Sequence, residues 1–97
     1  MARVRLSPQA SADIIGIWDH IAASNPQAAQ GVVDHIMQRA DTLAQHPLLG
    51  PERADLRPGL RSLSCGQYLL FYTYRDDLIE VSRVLHGASD LPAQFDD

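Results

Sequence analysis

Tyr68-Leu69-Leu70-Phe71-Tyr72-Thr73-Tyr74 is the stretch that decides the fold. It is apolar at alternate positions of both sets, so an extended chain here has no face suited to water. Such a run predicts a strand in the middle of a sheet, covered on both sides. Gly66-Gln67 precedes it as a tight turn, and Arg75-Asp76-Asp77 follows it as a polar one. Beyond those turns, Leu60 to Cys65 and Leu78 to His86 read as two further strands. Connections this short join antiparallel neighbours.

Upstream, Leu48 to Gly59 is a loop punctuated by Gly50, Pro51, Pro58 and Gly59. Before it, Ala29, Val32, Val33, Ile36, Ala40 and Leu43 form one helical stripe. That helix starts at Asn25-Pro26, a cap followed by a proline at the first helical position, and stops before Pro47. Ile14, Ile17, Trp18 and Ile21 mark a first helix from about Pro8 to Ala23, opened by Ser7-Pro8. Gly16 interrupts it at a cost of about 1 kcal/mol against Ala, and is expected to admit the second helix closely. A link as short as Ser24-Asn25 makes the two helices antiparallel neighbours. Arg3-Val4-Arg5-Leu6 alternates with period two and predicts a short strand. The order is β-α-α-β-β-β: an α+β fold with a helical hairpin packed on a small antiparallel sheet. One domain is expected over residues 1–87, with a polar tail over 88–97 whose short helix Ser89 or Asp90 would cap.

With 97 residues, such a domain buries roughly 60–65% of the surface its unfolded chain exposes, enough for one modest core. No apolar run approaches the roughly 18 residues of a membrane span. The N-terminal stretch has no apolar segment behind its arginines, so no signal peptide and a cytoplasmic location are expected. The single cysteine, Cys65, forbids an internal disulfide and a multi-cysteine metal site. All eight cations are arginine, which removes Schiff-base, P-loop and lysine-base chemistry. The net charge of −4 is uneven along the chain. Residues 1–6 carry Arg3 and Arg5 with no acid, whereas 7–46 hold four aspartates against Arg39. Residues 47–87 balance five arginines with five acids, and the tail holds Asp90, Asp96 and Asp97. This is not the basic footprint of a protein that lives on phosphate backbones.

The four histidines, His20, His35, His46 and His86, show no i, i+4 pair and no cysteine partner, so no metal ligand set is expected. No nucleophile elbow is present. Trp18 reads either as core packing or as an anchor for a partner. Arg61, with Tyr68 and Tyr72 on the neighbouring strand, reads as a phosphate and base-stacking platform or as the polar–aromatic face of an ordinary sheet.

Several segments in order resemble the ParE toxins of the RelE/ParE superfamily. They are Leu6-Ser7-Pro8-Gln9-Ala10, Asp13-Ile14, Ile17-Trp18, Leu43-Ala44 with Pro47 and Gly50, Pro58-Gly59-Leu60-Arg61-Ser62, Tyr68, Phe71-Tyr72, and Arg83-Val84-Leu85-His86-Gly87-Ala88 with Asp90. The resemblance spans residues 6 to 90 and implies the same β-α-α-β-β-β fold. It implies a toxin of a type II toxin–antitoxin pair, with a ParD-like antitoxin as partner and DNA gyrase as target. No cofactor, catalytic residue, direct nucleic acid contact or membrane is implied, and a hetero-oligomer with the antitoxin is. The RelE-like branch instead cuts ribosome-bound messenger RNA with cationic residues and a late tyrosine or histidine. Here Ser89 stands where both branches usually place Arg, and the late aromatic is Phe95, without a hydroxyl. A RelE-like ribonuclease, or an antitoxin-binding homologue without toxicity, is the alternative. Trp18, Arg61, Tyr68, Arg83 and His86 are the candidates for contact with antitoxin or target. Arg3, Arg5, Arg61 and Arg83 are available to pair with antitoxin carboxylates. An antitoxin helix is expected in a groove between the hairpin and the sheet.

Overall fold

In a computed structural model, which describes residues 1–95, the order is β1 (Arg3–Leu6), α1 (Pro8–Ala22), α2 (Pro26–Gln45), β2 (Arg61–Cys65), β3 (Tyr68–Arg75), β4 (Leu78–His86) and α3 (Leu91–Gln94). Both helices start as their sequences direct. Ser7 Oγ accepts from Ala10 N at 3.0 Å, Asn25 Oδ1 accepts from Ala28 N at 3.1 Å, and a proline follows each cap. Asp90 is the N-cap of α3 but makes no side-chain capping bond.

The sheet order is β1-β4-β3-β2. β2, β3 and β4 are antiparallel neighbours, but β1 runs parallel to β4, so the sheet is mixed and not wholly antiparallel as expected. The reason is tertiary. β1 has no hairpin partner in sequence, and the helical hairpin carries the chain back across the sheet before β2 begins. β4 is therefore flanked on both sides, and β3 occupies the other central position.

One face of the sheet holds the main core. Leu63, Cys65, Leu70, Tyr72, Ile79, Val81 and Val84 meet Ala10, Ile14, Ile36, Ala40 and Leu43 of the helices. The middle of that face is closed by a latch. Tyr72, fully buried, donates its hydroxyl to Pro47 O at 2.8 Å and accepts from Gly50 N at 2.9 Å. A side chain at Gly50 would collide with the Ser62 carbonyl and the Tyr72 ring, so glycine is required by the closeness of the loop. Burial pushes the Tyr72 phenol pKa upward, against the smaller opposing pull of the Gly50 hydrogen bond.

The other face is divided. Its upper half, Leu69, Phe71 and Leu85, is covered by Leu56 and Leu60 of the long loop and by Leu91 and Phe95 beyond β4. Phe95 is buried and meets Phe71 edge-on at 4.8 Å between ring centroids. The 88–95 stretch thus contributes apolar packing; Asp96 and Asp97 of the expected polar tail lie outside the described residues. The lower half of this face, with Arg3, Arg5, Thr73, Arg75, Leu78 and Glu80, lines an open pocket among the described residues. A bulge separates the halves: Phe71 pairs with Arg83 but Tyr72 with Val81, leaving Ser82 as the extra residue. Ser82 Oγ donates to Phe71 O at 3.1 Å, and Ser7 Oγ donates to Ser82 O at 2.8 Å.

Candidate functional site

An opening of about 910 Å³ lies between the tip of the helical hairpin and the upper end of the sheet. α1 contributes Ala12, Gly16, Ile17, His20 and Ile21 to it, and α2 contributes Ala28, Gly31, Val32 and His35. The sheet contributes the β2–β3 turn with Tyr68, and Val84 to His86 at the end of β4. Both helices turn small residues toward this space. A Cβ added at Gly16 or Gly31 would meet nothing within 4 Å. Gly16 therefore does not admit α2 closely, contrary to expectation; it widens the groove.

Of the five candidates, the structure brings two together. Tyr68 and His86 meet edge-on at 5.4 Å and wall the sheet end of the groove. His86 Nδ1 accepts from Ala88 N at 3.0 Å, which leaves the ring proton on Nε2, facing Gln67 Oε1 at 3.4 Å. Arg83 is engaged elsewhere. Its guanidinium grips the Asp13 carboxylate through Nε at 2.8 Å and Nη2 at 3.0 Å, and Asp13 also accepts from Val84 N at 2.9 Å. The hydrogen bonds that Arg83 donates to the Asp13 carboxylate hold it further in its charged form. This pair ties α1 to the part of β4 that β1 is too short to cover, because β1 pairs only with Leu78 to Val81.

Arg61 lies outside the groove. It donates to Gly50 O at 2.7 Å and to Glu52 at 3.3 Å, pinning the long loop over Tyr72. With Tyr72 buried and Arg61 occupied, these residues form no open stacking platform. Trp18 is 38% exposed and lies on α1 beyond the groove lining, near the exposed Ile15. Cys65 reaches the groove wall but is buried, which pushes its thiol pKa upward and keeps it protonated. Among the described residues, no three His, Cys, Asp or Glu side chains gather as a metal site, and no helix is long and apolar enough to cross a membrane.

The residues missed from sequence are Gly31, Ala12, Gln67, His20 and His35. The legible signal was a pair of helix-interior glycines, each costing about 1 kcal/mol and each lying off the apolar stripe of its helix.

A helical hairpin laid on a four-stranded mixed sheet is the fold of the RelE/ParE superfamily of toxins. Residues 4–91 match the family described as "ParE toxin of type II toxin-antitoxin system, parDE", and the chain belongs to that family. The toxin ParE1 of Mycobacterium tuberculosis is 34% identical over 92 residues, covering 93% of this chain and 94% of that one. Among solved structures, the chromosomal ParDE system of P. aeruginosa shares the fold with a TM-score of 0.78 at 24% identity, covering 89% of this chain and 96% of that chain. The RelBE2 toxin–antitoxin complex of Mycobacterium tuberculosis matches with a TM-score of 0.60 at 27% identity, covering 88% and 96%. The protein is a type II toxin of the ParE/RelE family.

Proposed function

We propose that this toxin acts by binding and not by catalysis, that its target is DNA gyrase in the cytoplasm, and that a ParD-like antitoxin restrains it. The observation that carries this reading is dispersal. Cleaving RNA through its 2′-hydroxyl needs a base, an acid and a cation around one phosphate. Here Arg61 is tied to the long loop, Arg83 to Asp13, and His86 faces the groove beside Tyr68. Phe95, the late aromatic, is buried and has no hydroxyl.

The groove suits the antitoxin. Its lining is mostly apolar, each helix leaves a gap in its wall at Gly16 or Gly31, and Tyr68, Gln67 and His86 close one end. An amphipathic helix can approach the backbone of α1 and α2 at Gly16 and Gly31 without meeting a side chain. The similarity to a ParDE system and to the RelBE2 toxin–antitoxin complex supports a partner of this kind and a hetero-oligomer with it.

Purified, antitoxin-free protein is expected to inhibit supercoiling by purified DNA gyrase and to leave ribosome-bound message intact in primer extension. Codon-specific cuts that vanish in Arg61→Ala or His86→Ala would make it a RelE-like ribonuclease instead. Tight antitoxin binding with neither effect would make it a homologue without toxicity.

A further inference from the structure

The open lower half of the far sheet face carries charge that the fold does not use. Strand pairing sets Arg3, Leu78 and Arg75 on one rung across β1, β4 and β3. The next rung on that face is Arg5, Glu80 and Thr73. In the second rung the charges cancel, because Arg5 grips Glu80. In the first they do not. Among the described residues neither Arg3 nor Arg75 has an ion pair, and both are exposed. Asp76, at the turn beside them, pairs with neither. Two unpaired guanidinium groups thus stand two strand spacings apart, about 10 Å at the backbone, with half-buried Leu78 between them.

This is a positive patch on a chain of net charge −4. It lies across the sheet from the groove, since Val4, Ile79 and Tyr72 of the same strands point to the helices. A carboxylate at each end and an apolar group over Leu78 would satisfy the rung. A phosphate chain running on along the face would cross Glu80, which is half-buried and held in place by Arg5. The local charges therefore favour discrete carboxylates over a nucleic acid backbone.

We propose that the Arg3–Leu78–Arg75 rung is a second docking surface, for an acidic patch on the protein that the toxin acts upon, separate from the antitoxin groove. This rests on the reading of the chain as a toxin that acts by binding.

The test is charge reversal, R3E/R75E, with the neutral R3Q/R75Q as a second variant in case reversal disturbs folding. Both are compared with wild type in melting temperature, affinity for the antitoxin encoded beside the toxin, and inhibition of purified DNA gyrase at low and high salt. The expected result is wild-type folding and antitoxin affinity, with inhibition weakened about tenfold or more by reversal and less by neutralisation, and with salt weakening the wild type most. Unchanged gyrase inhibition, or a loss confined to antitoxin affinity, overturns the proposal. If wild type has no effect on gyrase, the function reading fails and a second arm decides the surface. Poly-L-glutamate should shift the amide resonances of Arg3, Arg5, Thr73 and Arg75, and a single-stranded RNA of equal charge should not. No shift there with polyglutamate, or an equal or larger shift with RNA, overturns the surface as well.

Discussion

The middle of β3 and its two ends belong to different worlds. Phe71 and Tyr72 are sealed on opposite faces, each with no exposed surface, under the long loop and its neighbours. Tyr68 at one end looks into the groove, and Thr73 and Arg75 at the other look onto the cationic rung. One strand of eight residues thus runs from an open groove through a sealed core to an open charged surface. Stability and binding should therefore respond to different substitutions along the same strand.

The largest contrast is between Phe71 and Thr73, which share a face. Phe71→Ala removes the ring that Phe95, Leu60 and Leu85 enclose. It should cost about 3–5 kcal/mol, a large part of the roughly 5–15 kcal/mol available to a small domain. Thr73→Ala should stay within about 0.5 kcal/mol, as at open surface positions. Urea midpoints for the two variants settle it. Similar shifts would mean that the middle of the strand is no more sealed than its end.

Tyr72 gives a smaller effect with a distinctive pH dependence. Its folded pKa is raised above the ordinary value of about 10, so it adds stability that is fully present below pH 10 and is lost as pH climbs toward the folded value. Cys65, also raised, begins a similar loss nearer pH 8.5 in wild type and variant alike. Tyr72→Phe should therefore be less stable near neutrality by about 1–3 kcal/mol, because Gly50 N and Pro47 O lose their partner. Its stability should also fall less steeply above about pH 10. Urea melts at neutral and alkaline pH would show it, and parallel pH slopes would refute the latch.

At the groove end the sign reverses. Gly16→Ala and Gly31→Ala meet no atom of the fold, so each should stabilise its helix by about 0.5–1 kcal/mol. Each should also weaken antitoxin binding, since the added methyl occupies the space a partner helix would enter. A higher melting temperature with undiminished affinity would show that the partner docks elsewhere.

Caps, hairpins and the central strand were legible because each depends on neighbours in sequence. Ser7, Asn25, Gly66 and the Asp76-Asp77 turn, whose two residues have φ of 52° and 61°, act within a few residues. The place of β1 was not legible, because Arg3 to Leu6 pair with residues some 75 positions away and no turn announces it. The same distance hid the cationic rung, since segment charges cannot show that Arg3 and Arg75 flank one leucine. Tyr68 and His86 were recognised as candidates, but their meeting depends on the β3–β4 register. Arg61 was recognised by its chemistry, yet its task is to hold the loop that seals Tyr72.

The parallel pairing of β1 with β4 also has a consequence in time. The strand that comes first among the four can join the sheet only through the strand that comes last. Such long-range closure slows folding, because the entropy of a long loop is lost before its contacts form. During synthesis the two helices emerge with no sheet beneath them. The groove lacks a wall until Val84 to His86 arrive, and the Arg3–Leu78–Arg75 rung has no middle until Leu78 does. The groove and the rung are therefore completed together, by the arrival of β4.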